Sequence, residues 1–189
     1  EVGSFIGLAA VTNSEIIIEK PGFNNLQPIL PYFDRLGVRV EKKGDDLLVR
    51  DNQDLLIKNE FDQSISKIDD APWPGFPSDL TSIMTVVATQ CTGTILIFEK
   101  MYEGRLFWVD GLIRMGAKIV LCDPHRAVIV GPSKLRATEL ASPDIRAGMA
   151  LLIAALCAEG TSEIHNIHQI DRGYANIDER LIAIGAHIQ

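Results

Sequence analysis

At 189 residues the chain is long enough to bury a substantial core as one domain. A hydrophobic content of 47% with 23% charged residues is that of an ordinary globular protein. The net charge of −7 argues against broad nucleic-acid binding, yet leaves room for a local cationic pocket.

Taken in chain order, Phe5 to Glu19 reads as an apolar helix, a small polar turn and a strand. A second helix is expected near Leu26 to Leu36, then a turn at Lys43-Gly44-Asp45 and a strand at Leu47-Leu48-Val49. Asp51 to Pro77 reads as a linker ending in Ala71-Pro72-Trp73-Pro74-Gly75-Phe76-Pro77, a rigid and extended segment. Ser78 or Asp79 then caps a buried helix through Ile83, Met84, Val86, Val87 and Ala88. Thr92-Gly93-Thr94 turns the chain into the strand Ile95 to Phe98. Another helix covers about Leu106 to Met115 and stops at Gly116. Strands at Lys118 to Leu121 and Ala127 to Val130 flank a turn at Asp123-Pro124-His125. Gly131 to Pro143 is a shorter linker, and Ile145 to Asn166 begins the pattern a third time.

The recurrence is visible in the letters. Asp34-Arg35-Leu36-Gly37-Val38-Arg39-Val40 returns as Ile113-Arg114-Met115-Gly116-Ala117-Lys118-Ile119 and as Ile182-Ala183-Ile184-Gly185-Ala186-His187-Ile188. Repeats of this kind pack against one another to bury apolar faces that one unit cannot bury alone. Units are expected at about 1–70, 71–140 and 141–189 of a single domain, the third lacking its closing strand. The first residue is Glu rather than Met, so the sequence reads as a piece of a larger protein. Ala147 to Ala158 is apolar all round, as in a helix buried on every side. It is too short for the roughly 20 residues of a membrane span. Three such helices inside a shell of sheets is the architecture this pattern favours.

Cys91, Cys122 and Cys157 lie in or beside apolar runs and are expected to be buried, inert and reduced, which suits the cytoplasm. They offer neither a disulfide framework nor a metal spacing. His165 and His168 would point to opposite faces of a strand, so no metal site is expected there. No Walker loop, dinucleotide fingerprint, HExxH or G-x-S-x-G occurs.

Two kinds of residue remain for chemistry. Asp79 is either a helix cap or, held beside Trp73 and Phe76 with a raised pKa, a base. Arg105, Arg146 and Arg172 each sit at an end of an element where loops gather, and repeat geometry can bring them to one face. Three guanidiniums there would grip phosphate and carboxylate bidentately. Glu103 can pair with Arg105 or position it, and Asp144 opens the third buried helix as Asp79 opens the second.

Pro74-Gly75-Phe76-Pro77-Ser78-Asp79, Glu103-Gly104-Arg105, Ser142-Pro143-Asp144-Ile145-Arg146 and Asp171-Arg172-Gly173-Tyr174 resemble the enolpyruvyl transferases from end to end. The Asp-Arg-Gly-Tyr element is similar to the branch that takes UDP-N-acetylglucosamine as acceptor at the start of peptidoglycan synthesis, rather than the shikimate-pathway branch. The resemblance implies an α/β fold, a pseudo-threefold repeat of βαβαββ units with helices inside the sheets (an inside-out α/β barrel). This chain would be most of one of two domains, the second domain of the same protein being its partner. Phosphoenolpyruvate and UDP-N-acetylglucosamine would be the substrates, with no cofactor, metal, nucleic acid or membrane.

By the same resemblance Asp79 is the base at the sugar hydroxyl, and Arg105, Arg146 and Arg172 hold the phosphoenolpyruvate anion, Arg172 as a catalytic residue. Met101 and Tyr102 line the uracil or sugar side, with Glu103 and Asp144 in support. Gly104 stands where many relatives carry Asn, and Leu106 where an aromatic is common. The family's loop cysteine and Lys-Asn pair match no residue here, so the chain alone is expected to be inactive. A shikimate 3-phosphate acceptor and a non-catalytic binding module, as in RNA-processing cyclases with related repeats, are the alternatives.

Overall fold

The computed structural model describes residues 1–59 and 64–189. In chain order it contains α1 (Val2–Thr12), β1 (Ile16–Ile18), α2 (Leu30–Arg35), β2 (Val40–Lys43), β3 (Asp46–Val49) and β4 (Ser66–Asp69). There follow α3 (Thr81–Gln90), β5 (Gly93–Phe98), α4 (Val109–Arg114), β6 (Lys118–Asp123), β7 (Arg126–Gly131) and β8 (Glu139–Ala141). The last elements are α5 (Ile145–Cys157), β9 (Glu163–His165), α6 (His168–Asp171) and α7 (Ile177–Ala183).

The strands form three sheets, ordered β1-β3-β2, β4-β5-β7-β6 and β8-β9. In the middle sheet β4 and β5 are parallel, while β5, β7 and β6 are antiparallel. The first sheet has the antiparallel part of that pattern, and the last has the parallel part. Helices α1, α3 and α5 pack on one another. The reason lies in their composition: α3 is buried at every position from Thr81 to Thr89, and Met149, Ala150, Ile153 and Ala154 of α5 are likewise shut from water. A helix apolar on all sides has no face to give to solvent. A small residue lets α1 approach α3: a Cβ built on Gly7 would meet Ile83 at 2.7 Å.

Several sequence expectations are corrected. The two linkers each contain a strand: β4 lies within Asp51 to Pro77, whose residues 60–63 fall outside the described residues, and β8 lies within Gly131 to Pro143. The segment Ala71 to Pro77 is a closed turn rather than extended, with Ala71 N–H donating to Phe76 O at 2.9 Å and Gly75 N–H to Pro72 O at 2.8 Å. Gly75 ends that turn, where a Cβ would meet Ala71 Cβ at 2.6 Å. The helix Leu26 to Leu36 is shorter, starting at Leu30 with Pro31 in its first turn, and that over Leu106 to Met115 starts at Val109. Cys91 is buried and Cys157 partly so, but Cys122 is exposed, because alternate residues of β6 face outward. His168 is not on a strand but opens α6.

Candidate functional site

Asp79 lies in a 3-10 turn, Ser78–Leu80, that precedes α3. No side chain caps α3, so the expected capping role of Ser78 or Asp79 is not taken up. The turn carries the carboxylate past the helix start and into a hydrogen bond from Arg146 Nε. Nor is Asp79 shut between rings: its side chain is 66% exposed, Trp73 stands in solvent at 65%, and Phe76 is buried against Tyr32 with ring centroids 4.4 Å apart. An ion pair this exposed contributes about 0.2–1 kcal/mol to stability. Its value is therefore positional, as both groups remain open to a ligand.

Arg146 occupies the first turn of α5, which Asp144 caps by accepting from Arg146 N–H at 2.7 Å and Ala147 N–H at 2.9 Å. Asp144 thus stands at the start of the buried helix, as the sequence placed it, and serves there as the cap. Burial opposes the charge on Arg146, but the Asp79 hydrogen bond and the charges of Asp79, Asp144 and Tyr102 outweigh it and hold the guanidinium ionised. Arg105, in the turns between β5 and α4, donates from Nη1 to Ser78 Oγ at 3.0 Å. Its guanidinium carbon lies 3.5 Å from the centroid of the Tyr102 ring, a cation–π contact that fixes the plane of the fork. Two arginines thus flank residues 78 and 79, one bonded to each.

The remaining expectations divide. Arg172 follows α6, is exposed, and donates to Gln169 Oε1 at 3.2 Å. Among the described residues no bond joins it to Asp79, Arg105 or Arg146. Glu103 is exposed, and among the described residues no ion pair forms between it and Arg105. Met101 and Tyr102 are exposed at 42% and 44%. His165 Nε2 lies 2.8 Å from Glu139 Oε1. Among the described residues no group of three or more His, Cys, Asp or Glu could hold a metal ion, and no helix is long and apolar enough to cross a membrane.

Three features escaped the sequence reading. The Tyr174 hydroxyl is 2.7 Å from Ser4 Oγ in α1. Burial raises the pKa of that phenol, with the Ser4 bond opposing and the charges of Glu1 and Asp79 adding to the rise. One side chain of the Asp-Arg-Gly-Tyr element is thereby tied to the start of α1. Ser78 anchors Arg105 although nothing in its local pattern announces it. The third feature is a pair of buried carboxyl groups, Asp70 and Glu99, each 1% exposed.

The Asp79 carboxylate thus lies between the start of α3 and that of α5, bonded to Arg146 and beside the Ser78 that anchors Arg105. The family model described as EPSP synthase (3-phosphoshikimate 1-carboxyvinyltransferase) matches residues 1–181. The chain belongs to this family. UDP-N-acetylglucosamine 1-carboxyvinyltransferases from Bradyrhizobium diazoefficiens and Bacteroides thetaiotaomicron are each 59% identical over the whole of this chain, and that from Treponema denticola is 56% identical. The chain spans 44% of the length of each of these relatives. Among solved structures, the enolpyruvyl transferase NikO from Streptomyces tendae superposes over all of this chain and 43% of its own, with a TM-score of 0.86 at 25% identity. EPSP synthase from Acinetobacter baumannii shares the fold over 86% of this chain and 37% of its own, with a TM-score of 0.57 at 14% identity.

Proposed function

We propose that this chain is most of one domain of a protein that transfers the enolpyruvyl group of phosphoenolpyruvate to the 3-hydroxyl of UDP-N-acetylglucosamine, releasing phosphate, as the first step of peptidoglycan synthesis. The observation that carries this reading is the Asp79–Arg146 pair with Arg105 anchored at Ser78, in a chain 59% identical throughout to enzymes named for that reaction. The second domain belongs to the rest of the protein, and the setting is cytoplasmic, where unpaired thiols stay reduced.

In this mechanism Asp79 takes the proton of the acceptor hydroxyl as its oxygen bonds to C2 of phosphoenolpyruvate, while C3 gains a proton from a donor outside this chain. Loss of a proton from C3 and rupture of the C2–O bond to phosphate then complete the transfer. Arg105, Arg146 and Arg172 stabilise the phosphate and carboxylate, with Arg172 brought in from the far side when substrate binds. Asp144 acts by fixing the start of α5 and hence Arg146. Met101 and Tyr102 face the uracil or sugar, and Glu103 supports the loop that carries them.

The architecture in this reading is pseudo-threefold, in units of about 1–70, 71–140 and 141–189, with α1, α3 and α5 inside the sheets. The unit at 71–140 draws on β4 just ahead of it to give the full βαβαββ pattern. The first unit then needs a parallel strand beside β1, and the third needs a hairpin beside β9, both from the remainder of the protein.

Transfer to shikimate 3-phosphate is the second reading, favoured by the name of the matching family model. Phosphate release by the full-length protein, with phosphoenolpyruvate and each acceptor in turn, separates the two. Release with UDP-N-acetylglucosamine alone is expected; release with shikimate 3-phosphate alone would overturn the reading. The isolated chain is expected to give no sustained release with either.

A further inference from the structure

Asp70 and Glu99 are acids buried side by side beneath the loop that carries Arg105. Asp70 follows β4, and Glu99 follows the paired strand β5, so the parallel register of Asp69 with Phe98 sets them next to each other. They are not equivalent. The Asp70 carboxylate accepts backbone N–H groups from Lys100 and Met101, the first residues of the Arg105 loop. Glu99 Oε1 is buried and has no hydrogen-bond partner. Burial and the neighbouring Asp70 carboxyl therefore favour the protonated form of Glu99.

The groups facing Glu99 come from every side. Asp70 lies beyond β4, the Thr81 hydroxyl is at the start of α3, and the Arg105 charge acts from the loop. His125, in the turn between β6 and β7, places Nδ1 2.7 Å from the Glu99 carbonyl oxygen. Thr81 and Arg105 favour the ionised carboxyl but are outweighed by burial and by Asp70.

We propose that Glu99 is a positioning residue, an uncharged carboxyl that with Asp70 holds the Arg105 loop and leaves the Arg105 guanidinium free for a substrate anion. An ionised Glu99 would set a second negative charge against Arg105 and compete with that anion. Burial, with Asp70 beside it, pushes the Glu99 pKa up to about 8, so the competition begins within reach of ordinary assay conditions. By linkage, an anion on Arg105 and a proton on Glu99 favour each other. This inference rests on Arg105 being an anion-binding residue, as proposed above.

The test uses the full-length protein and calorimetric titration of phosphoenolpyruvate, which reads binding rather than turnover. For the unaltered protein, affinity should fall about tenfold between pH 7 and pH 9, as Glu99 loses its proton. Glu99→Gln, which stays neutral, should remove most of that fall, whereas a residue of purely structural role would leave the slope unchanged. Asp70→Asn should move the fall to lower pH, because Glu99 then ionises more easily; it serves as well if Glu99→Gln does not fold. An equal fall in the unaltered protein and Glu99→Gln, or an unmoved fall in Asp70→Asn, overturns the proposal. If phosphoenolpyruvate does not bind at any pH, the proposed function fails, and an infrared difference spectrum judges the pair separately. A protonated-carboxyl band at pH 7 that Glu99→Gln or Asp70→Asn removes supports it, and absence of the band overturns it.

Discussion

Asp79→Asn in the full-length protein should lower the rate of phosphate release by two or more orders of magnitude, the range over which a positioned acid or base acts. Asn keeps the volume and hydrogen-bonding oxygen of the carboxylate but cannot take a proton at neutral pH. The loss should fall mainly on kcat, because an interaction made chiefly in the transition state is removed. Stability should hardly change, since the Asp79 side of the pair is open to solvent and such a pair contributes about 0.2–1 kcal/mol. Release within a factor of a few of the unaltered protein would show that Asp79 neither takes the proton nor positions the group that does. A large drop in melting temperature would instead mean that the pair is structural.

The second large effect is on folding, and it is graded along the chain. Gly37, Gly116 and Gly185 follow α2, α4 and α7 with φ of +78°, +104° and +105°. An L side chain in that region costs about 1–2 kcal/mol at any of the three. Their surroundings differ. A Cβ on Gly37 would sit 2.2 Å from Asp54 O and 2.6 Å from Leu56 N, where returning backbone cannot yield. On Gly116 the nearest atom is Lys134 O at 3.3 Å, and on Gly185 nothing lies within 4 Å. Gly37→Ala should therefore add about 1–3 kcal/mol of overpacking to the conformational cost. Gly185→Ala should show the conformational cost alone, with Gly116→Ala between them. Denaturant unfolding of the three variants gives the ranking; equal losses would mean that conformation alone decides.

Glu99 brings a pH dependence of stability whose sign differs from that of most carboxylates. Its folded pKa of about 8 lies above the ordinary carboxylate value, so between the two the folded chain holds a proton that the unfolded chain has released. Stability from this site is complete below the unfolded pKa and is lost as pH rises toward 8, by roughly 1.4 kcal/mol per unit at most. In Glu99→Gln this decline should be absent from the melting curve between pH 5 and pH 8.

The helices were legible because their marks are local. A glycine follows α2, α4 and α7, and the apolar run of α5 leaves no face for solvent. The strands β4 and β8 were not legible. Ser66-Lys67-Ile68-Asp69 has one apolar residue, and Glu139-Leu140-Ala141 is three residues long, so neither presents an alternation to read. Each is a strand because a neighbour, β5 or β9, offers a parallel edge.

The site shows the same division. Asp144 was readable as opening a buried helix, and its bonds as a cap go to residues two and three places on. Asp79 looks alike in sequence, but its partner is 67 residues away and its turn is 3-10, which capping preference cannot foresee. The Arg105 anchor at Ser78 and the Asp70–Glu99 pair likewise depend on how sheets and central helices meet.

The structure of the full-length protein with UDP-N-acetylglucosamine bound tests the central claim most directly. The account predicts an Asp79 carboxylate oxygen within about 2.6–3.2 Å of the sugar 3-hydroxyl, with Arg105 and Arg146 still flanking it. A sugar seated elsewhere, with its 3-hydroxyl beyond reach of Asp79 and of any water bonded to it, would contradict the account.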